Sequence, residues 1–274
     1  MSNTTIFDSR YTKLKTIDWN FQDVSQDALA NIHPYPARFI PDIPRELISA
    51  LGCAKGSVVL DPFCGSGTTL VEAQRAGFDA VGIDLNPIAC LISSVKTQPL
   101  PEKYLCTAKE IYKDAKETFS GPVEIPSIPN LDHWFKSDIQ KALSSILNHI
   151  EEESDAAMRN ALKLALSSII VRVSNQESDT RYAAVDNNYT ADDVFNAFLS
   201  ACKKIHDAKK EICVDSASNK IINQDILTVT SSDFNKSVGL AITSPPYPNA
   251  YEYWLYHKYR ICLLYTSPSP RDTR

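Results

Sequence analysis

Two short apolar runs near the start of the chain have the pattern of buried strands. Residues 57–60 and 80–83 are rich in β-branched side chains, and each run is followed by an aspartate, Asp61 or Asp84. Between the two runs, residues 68–76 repeat apolar positions with a helical period after a Gly-Ser-Gly turn. Strand, turn, helix and strand in this order predict a βαβ unit, and therefore a parallel sheet with a right-handed crossover.

The pattern changes to that of helices over about residues 97–215. Apolar positions there recur with the helical period of about 3.6 residues. The predicted helices cover residues 103–118, 136–152, 155–172 and 191–212. Ser154 and Thr190 are expected to cap the last two helices, because each precedes acidic residues of a first helical turn.

Strand patterns return after the helical region, over residues 220–223 and 239–242. The simplest organisation is an α/β fold with one sheet that a mostly helical insertion interrupts. We expect an N-terminal half of the sheet domain, the insertion, a second part of the sheet domain and a tail, over residues 1–96, 97–215, 216–262 and 263–274. The tail resembles a translated sequencing-adaptor string, so we expect it to be non-native, the chain truncated and the sheet incomplete at its C-terminal side.

The segment before the first strand also has a distinct pattern. Residues 33–41 contain three prolines, which exclude a helix interior and predict an extended loop rich in aromatic side chains. A short amphipathic helix is expected directly afterwards, over residues 43–51.

Composition limits the classes of function. Lys and Arg number 28 and Asp and Glu number 33, giving a net charge of −5, so a nucleic-acid site has to be a local patch. The sequence has no apolar run of about 18 residues and no secretory signal, which predicts neither a membrane span nor export. The seven scattered cysteines form no Cys-x-x-Cys pair, which is typical of reduced thiols in a cytoplasmic protein and predicts no metal site.

The segment Asp-Pro-Phe-Cys-Gly-Ser-Gly-Thr-Thr at 61–69 can bring the backbone close to a ligand at a helix N-terminus. A phosphate-binding P-loop would need a lysine that is absent here, and in a dinucleotide site Leu70 would crowd the packing of helix on strand. S-adenosylmethionine carries no pyrophosphate, and Asp84, 23 residues after Asp61, would suit its ribose hydroxyls. The alternative is a tight turn with an aspartate cap.

A second segment, Thr-Ser-Pro-Pro-Tyr-Pro at 243–248, follows an apolar strand. Two successive prolines remove two N–H donors and leave carbonyl groups able to accept hydrogen bonds. A carbonyl and the Ser244 hydroxyl could accept from an exocyclic amino group, and Tyr247 could stack on a planar ring. The alternative is a turn with a packed aromatic side chain.

Together these segments resemble the DNA amino-methyltransferases, the cytosine-N4 and adenine-N6 enzymes of restriction–modification systems. The resemblance rests on residues 61–69, 82–87 and 243–247, with weaker similarity at 33–39 and 223–226. It implies a Rossmann-like, S-adenosylmethionine-dependent methyltransferase sheet. Serine before Pro-Pro-Tyr is the form typical of the cytosine-N4 enzymes.

The resemblance also implies roles for individual residues. The residues expected to bind S-adenosylmethionine are Asp61, Phe63, Gly65, Gly67, Thr68, Asp84, Asp225 and Tyr35. Those expected to hold and orient the target base are Ser244, Pro245, Pro246 and Tyr247.

The expected chemistry is a direct transfer of the methyl group to the amino nitrogen, with no covalent enzyme intermediate. Cys64 is therefore expected to be a small core residue. The expected partner is double-stranded DNA with a flipped target base, and a cognate restriction endonuclease is possible. Arg38, Arg172, Arg181 and Tyr182, with the polar loop at 173–182, are candidates for DNA contact.

Several alternatives stay open at this point. The enzyme could act on adenine N6, or on guanine N2 of a structured RNA, and the chain could be a truncated fragment without activity. His257 has no metal partner in its local pattern and is expected to be a packed or surface residue. Residues 133–135 are expected to pack at a helix entry.

Overall fold

The computed structural model describes residues 11–21, 27–121, 130–178, 181–210, 217–245 and 253–265, without side chains for residues 182 and 253–256. The chain divides into two compact units. We call the first the sheet unit, residues 1–27, 37–97 and 213–247, and the second the helical unit, residues 28–36, 98–212 and 248–274. The division into residues 1–96, 97–215, 216–262 and 263–274 stays a prediction.

The helices and strands follow one another in this order along the chain: α1 (Asp42–Leu51), β1 (Val58–Asp61), α2 (Thr68–Arg75), β2 (Ala80–Asp84), α3 (Pro87–Thr97), α4 (Tyr104–Thr118), α5 (Leu131–Trp134), α6 (Ser137–Glu151), α7 (Ala156–Ile169), β3 (Gln176–Ser178), β4 (Arg181–Ala184), α8 (Ala191–Lys210), β5 (Asn219–Asn223), β6 (Val238–Ala241) and α9 (Tyr253–Tyr265). Short 3₁₀ turns lie at Leu29–Asn31, Ile226–Thr228 and Ser231–Asp233.

The sheet unit is built on four parallel strands in the order β5-β2-β1-β6. The register pairs Asp61 with Gly82 and Asp84 with Asn223, so the last residues of β1, β2 and β5 lie at one edge of the sheet. The Ile242 N–H donates to the Leu60 carbonyl at 2.9 Å, which brings the end of β6 to the same edge. The α/β class, the βαβ unit and the strand positions predicted from the sequence are confirmed.

Alternate residues of the central strands pack on opposite faces of the sheet. Val59 of β1 belongs to a buried cluster with side chains of α1 and α2, whereas Val58 belongs to a second cluster with Val81 and Ile83 of β2. The second cluster is covered in part by apolar side chains of the connection between β5 and β6. This alternation is the period of two that strand geometry imposes.

The close packing of α2 on β2 corrects one expectation. Leu70 is completely buried, and a Cβ added to Gly82 would lie only 2.7 Å from its Cδ2 atom. Leu70 therefore occupies the space that a side chain on β2 would need, and it does not crowd the helix away from the strand. The sequence argument against a dinucleotide site that used Leu70 is thus wrong, because it ignored the glycine opposite.

In the helical unit, α4, α6 and α8 pack against one another, and α7 packs on α6 and α8. The apolar stripe predicted for α8 is buried, including Phe195, Phe198 and Cys202. Phe119 and Phe195 meet edge-to-face with ring centroids 5.4 Å apart, a geometry that aromatic rings prefer.

The two predicted helix caps have different outcomes. At α8 the prediction is confirmed, because Thr190 Oγ1 accepts from the Asp193 N–H and the Asp193 carboxylate accepts from Thr190. At α7 it is wrong: Asp155, not Ser154, caps the helix by accepting from the N–H groups of residues 157 and 158. A carboxylate is the stronger acceptor and also favours the positive end of the helix dipole.

Two further segments differ from the sequence interpretation. The polar loop predicted over residues 173–182 contains β3 and the start of β4, which form an antiparallel hairpin over residues 176–178 and 181–184. Helix α9 extends to Tyr265, and Leu263 and Leu264 of the predicted tail are buried in it. The rest of that tail lies outside the described residues. None of the described helices has the length and apolar character needed to cross a membrane.

Candidate cofactor and substrate site

The candidate site lies at the edge of the sheet where the four parallel strands end. Asp61 ends β1, Asp84 ends β2, and Asp225 follows β5 by two residues. Thr243 and Ser244 follow β6. Because neighbouring strands lie about 4.8 Å apart, the four strand ends span roughly 14 Å. In an open parallel sheet this edge is where ligands bind.

The glycine turn begins directly after β1. Asp61 is buried, and its Oδ1 accepts from the Phe63 N–H at 3.2 Å. Gly65 and Gly67 have φ angles of 48° and 78°, which lie in the left-handed region where glycine is preferred. The turn is closed by the Gly67 N–H, which donates to the Cys64 carbonyl at 2.8 Å. Helix α2 then starts at Thr68, so its first N–H groups lie next to the turn.

The Asp84 carboxylate holds two loops together. Its Oδ2 atom accepts from the Gly65 N–H at 2.8 Å, and its Oδ1 atom accepts from the Asn86 N–H at 2.8 Å. Each carboxylate oxygen has further acceptor capacity. Asp84 can therefore organise the glycine turn and still accept hydrogen bonds from a ligand.

The end of β5 adds polar and apolar groups to this edge. Asn223 Nδ2 donates to the carbonyls of Asp84 and Leu85 at 2.9 and 3.1 Å, which locks β5 to the loop after β2. Asp225 is exposed and caps the following 3₁₀ turn by accepting from the Leu227 N–H at 3.0 Å. Leu85 and Leu227 are 64% and 89% exposed, so apolar surface accompanies the carboxylates here.

The end of β6 carries the Thr-Ser-Pro segment. Thr243 is exposed, Ser244 is half-buried and Pro245 is exposed. Asp61 and Thr243 interact through their side chains, which places the start of this segment beside the end of β1. Pro246 and Tyr247, both expected at the target base, lie outside the described residues.

Burial dominates the electrostatics of the two central carboxyls. It raises the pKa of the Asp61 carboxyl above its ordinary value, and the Thr69 and Thr243 hydroxyls and the Phe63 N–H act against it. Burial also raises the pKa of Asp84, against hydrogen bonds from the N–H groups of Asn86, Gly65 and Leu85. Both shifts express the cost of keeping charge at a partly dry edge, which a cationic ligand would reduce.

The thiols beside the turn are not poised as nucleophiles. Burial raises the pKa of the Cys64 thiol well above its ordinary value, with the nearby Asp84 carboxylate acting in the same direction. Burial likewise raises the pKa of Cys90 to about 12. A thiol that is buried and protonated is a poor nucleophile, which supports the interpretation of Cys64 as a core residue.

Tyr35 belongs to the helical unit, where it joins a buried cluster. Its ring stacks on His257 of α9 with centroids 5.2 Å apart. His33 Nδ1 lies 2.6 Å from the Pro34 carbonyl and must donate to it, so in the neutral ring Nε2 accepts from Ser167 Oγ at 2.9 Å. Arg260 Nε donates to the Ser167 carbonyl at 2.9 Å. The role of Tyr35 in cofactor binding stays a prediction.

The three arginines among the candidates for DNA contact are exposed, whereas Val173, Ser174 and Gln176 of the 173–182 segment are buried. Arg172 and Arg181 lie in the helical unit, and Arg38 lies in the sheet unit. Arg181 forms an ion pair with Glu177 at 3.0 Å across the β3–β4 hairpin. The side chain of Tyr182 is not described, and DNA contact at these residues stays a prediction.

Sequence reasoning missed one contributor and included a second only as part of the 223–226 segment. Ser93 of α3 donates its hydroxyl proton to the Gly65 carbonyl at 2.8 Å, although nothing in its local pattern indicates a site. Asn223 does have a signal, because it starts the Asn-Gln-Asp segment at a strand end. Among the described residues no group of three His, Cys, Asp or Glu side chains could hold a metal ion.

Comparisons with known proteins agree with this geometry. Residues 5–94 match the model of a family described as DNA methylase. The chain is 31% identical to the type II methyltransferase M.MvaI of Kocuria varians over 157 residues, covering 54% of this chain and 35% of that protein. It is 22% identical to the type II methyltransferase M.BsoBI of Geobacillus stearothermophilus over 270 residues, covering 85% of this chain and 52% of that protein.

A shorter match is of a different kind. The chain is 38% identical over 52 residues to the tRNA (guanine(10)-N2)-dimethyltransferase of Methanothermobacter thermautotrophicus, covering 19% of this chain and 16% of that protein. No solved structure gives a significant match. The chain spans about half, or less, of the length of the curated relatives it matches.

The parallel sheet with its glycine turn and acidic strand ends is the α/β fold of a Rossmann-like methyltransferase, as the sequence predicted. The match of residues 5–94 to a DNA methylase family and the similarity to type II methyltransferases agree with this fold.

Proposed function

We propose that the sheet unit binds S-adenosylmethionine and belongs to an enzyme that methylates the N4 amino group of cytosine in DNA. One observation carries this proposal. The glycine turn after β1 and the Thr-Ser-Pro segment after β6 lie on adjacent parallel strands and at the same edge. A methyl donor and a methyl acceptor have to meet at one place, and neighbouring strand ends about 4.8 Å apart provide it.

The groups at this edge fit S-adenosylmethionine. That molecule has an ammonium group, a sulfonium, a ribose diol and an adenine amino group, which favour acceptors or negative charge. It also has an α-carboxylate, which the first N–H groups of α2 could meet. Asp61, Asp84 and Asp225 supply carboxylates, and the Gly65 carbonyl keeps one lone pair beside its bond from Ser93. The Asp61 carboxylate, directly before the glycine turn, would repel a di- or triphosphate at that turn. Asp84 does not discriminate, because a carboxylate after the second strand also suits the ribose of a dinucleotide.

Each strand end has a proposed task. Asp61, with Phe63, Gly65, Gly67 and Thr68, would border the methionine part. Asp84 would accept from the ribose hydroxyls through its free lone pairs. Asp225 would accept from the adenine amino group, with the exposed Leu85 and Leu227 beside the ring. Tyr35 is proposed to cover the cofactor.

The Thr-Ser-Pro-Pro-Tyr segment would hold the target base. When bound, S-adenosylmethionine supplies an electrophilic methyl group. An aromatic amine is a weak nucleophile because its lone pair is conjugated with the ring, and acceptors for its two protons favour a pyramidal nitrogen. Ser244 and the carbonyls before Pro245 and Pro246 are the proposed acceptors, and Tyr247 is proposed to stack on the base. The base has to be flipped out of the duplex to reach them.

Cytosine is proposed because serine precedes Pro-Pro-Tyr, the form typical of the cytosine-N4 enzymes. Adenine N6 is the alternative within the family. Guanine N2 of tRNA is the alternative suggested by the 52-residue match to a tRNA (guanine(10)-N2)-dimethyltransferase. Double-stranded DNA, and a restriction endonuclease with the same recognition sequence, are the proposed partners.

The experiment is methyl transfer from tritiated S-adenosylmethionine to unmethylated plasmid DNA and, separately, to unmodified tRNA. Hydrolysis to nucleosides then identifies the product. We expect labelled N4-methylcytosine from DNA; N6-methyladenine would overturn the choice of base, and label in tRNA alone would overturn the DNA substrate.

A matched pair of variants tests the segment itself. Ser244→Ala removes the proposed acceptor, and we expect turnover to fall by about tenfold, the effect of one lost hydrogen bond in the transition state. Ser237→Ala changes an exposed serine before β6, at the opposite edge of the sheet, and should leave turnover unchanged. Calorimetry with S-adenosylhomocysteine reports on cofactor binding by this chain even without DNA.

A further inference from the structure

The peptide groups on both sides of Gly65 are held by two different elements. The Gly65 N–H donates to Asp84 Oδ2 at the end of β2, at 2.8 Å. The Gly65 carbonyl accepts from Ser93 Oγ in the middle of α3, also at 2.8 Å. Gly65, the first glycine of the turn, is therefore held by hydrogen bonds on both sides before any ligand is bound.

Ser93 also sets how closely α3 approaches the turn. It is completely buried, and a Cβ added to Gly67 would lie 2.8 Å from its Oγ and 3.0 Å from its Cα. Gly67 has a φ of 78°, a conformation that side chains disfavour. The backbone of the turn thus rests on the backbone of α3 at this serine, and a larger residue at 67 would separate the two.

The direction of the Ser93 hydroxyl distinguishes it from an ordinary buried helix serine. Serine and threonine inside a helix usually donate to a carbonyl of their own helix. Thr97 does so, since its Oγ1 donates to the Ser93 carbonyl at 2.8 Å. Ser93 instead donates out of α3 to the Gly65 carbonyl, and so it fixes the direction in which that carbonyl points.

We propose that Ser93 is a positioning residue for the methyl donor. It orients the Gly65 carbonyl so that the remaining lone pair of that oxygen faces the ligand, while Asp84 holds the N–H of the same residue. The hydrogen bonds from Gly65 to Asp84 and from Ser93 to Gly65 thereby link β2, the glycine turn and α3, so that the turn is preorganised for binding. This inference rests on the proposed function, because the ligand that the turn is prepared for is S-adenosylmethionine.

The test compares Ser93→Ala with Thr97→Val in the full chain. Both variants remove one buried hydroxyl from α3, but only the first removes a bond to the turn. The first measurement is calorimetric affinity for S-adenosylhomocysteine. We expect Ser93→Ala to weaken binding by about tenfold, because the loss of one buried hydrogen bond is expressed at the site, and Thr97→Val to stay within about twofold.

The second measurement is amide hydrogen exchange of residues 64–68 without ligand. We expect faster exchange in Ser93→Ala and wild-type rates in Thr97→Val, at equal thermal stability. Ser93→Cys keeps a weak donor of similar size and should lie between wild type and Ser93→Ala in both measurements. It serves as the test if Ser93→Ala does not fold.

The outcomes separate the inference from the proposed function. Wild-type affinity and exchange in both Ser93→Ala and Ser93→Cys would overturn the role of Ser93 and leave the proposed function intact. Equal losses in Ser93→Ala and Thr97→Val would show that Ser93 only packs α3. If the wild-type chain fails to bind S-adenosylhomocysteine, the proposed function of this chain fails. The role of Ser93 is then tested by exchange alone, and unchanged exchange at residues 64–68 in Ser93→Ala would refute it.

Discussion

Among single residues, Asp84 combines a structural task with the proposed binding of a ligand. Its two oxygens accept from the N–H groups of Gly65 and Asn86, so it shapes the turn that it would share with a ligand. Hydrogen bonds to a charged acceptor are stronger than those to a neutral one. This explains why a carboxylate can be kept at a half-buried position where burial opposes its charge.

The first prediction concerns this carboxylate. Asp84→Ala should weaken binding of S-adenosylhomocysteine by about 100-fold or more, because charge-assisted bonds to the turn and to the ribose are lost together. Isothermal titration calorimetry measures it. Asp79→Ala is the matched control, since Asp79 also accepts a backbone N–H, from Ser218, but lies before β2 at the opposite edge. Equal losses in both variants would refute the assignment.

Lys96 near the end of α3 is a second residue with a measurable consequence. Its side chain is buried, and burial lowers its pKa from 10.5 to about 7, with Arg38 and Arg75 acting in the same direction and Asp27 against it. Between pH 7 and 10.5 the unfolded chain therefore binds more protons at this group than the folded chain. Stability due to Lys96 thus rises with pH across this window.

The second prediction follows from that sign. The difference in free energy of unfolding between wild type and Lys96→Met should move in favour of wild type from pH 7 to 10, by up to about 1.4 kcal/mol per pH unit. Urea titrations at several pH values measure it, and taking the difference removes contributions of thiols and tyrosines common to both proteins. A pH-independent difference would contradict the buried amine.

Among the elements, α7 shows how a cap is selected. Its N-terminal N–H groups find Asp155, whose Oδ1 lies 2.8 Å from the Ala157 nitrogen. The third prediction is that Asp155→Ala lowers the free energy of unfolding by about 1 kcal/mol, the usual value of a lost cap. Ser154→Ala should have almost no effect. Chemical denaturation compares the two, and a larger loss for Ser154→Ala would reverse the assignment.

Helix α9 contains a buried histidine whose pKa is lowered. His257 is completely buried against Tyr35, and neither ring nitrogen has a hydrogen-bond partner within the described part of the chain. Burial, and then the nearby Arg260, lower its pKa well below 6.5. The folded chain keeps this ring neutral while the unfolded chain takes up a proton below pH 6.5. Stability is therefore lost as the pH falls below that value.

The fourth prediction tests this element. His257→Phe keeps an aromatic ring for Tyr35 and should weaken the decline in melting temperature between pH 7 and 5, which differential scanning calorimetry measures. An unchanged pH profile in His257→Phe would exclude this source of acid sensitivity.

At the scale of the whole molecule, the four parallel strand ends bring separate segments to one edge of the sheet, where the ligand is proposed to bind. The fifth prediction is that S-adenosylhomocysteine slows amide exchange in the segments that follow β1, β2 and β5. Helices α4 and α8 of the helical unit should exchange as before. Hydrogen exchange with mass spectrometry maps the effect. Protection confined to residues 231–238, at the opposite edge of the sheet, would refute the site.

Much of the sheet could be predicted because its signals are local. Apolar runs that end in Asp61 and Asp84, with glycines between them, specify strand, turn and helix within a few residues of each feature. The hairpin of β3 and β4 carries mostly polar side chains, so it has no such signal. The prediction that Leu70 would crowd the packing of helix on strand failed for a different reason. Leu70 packs against Gly82, and a local sequence pattern does not show that these two residues face each other.

The sequence by itself determined which residues make up the candidate site, because strand ends, turn glycines and the Ser-Pro-Pro-Tyr segment are properties of neighbouring residues. Only the tertiary structure decided that Asp84 and Ser93 both reach Gly65 and that Thr243 lies beside Asp61. These contacts join positions that are 19, 28 and more than 100 residues apart. They depend on the order of the strands and the approach of α3, which long-range packing sets.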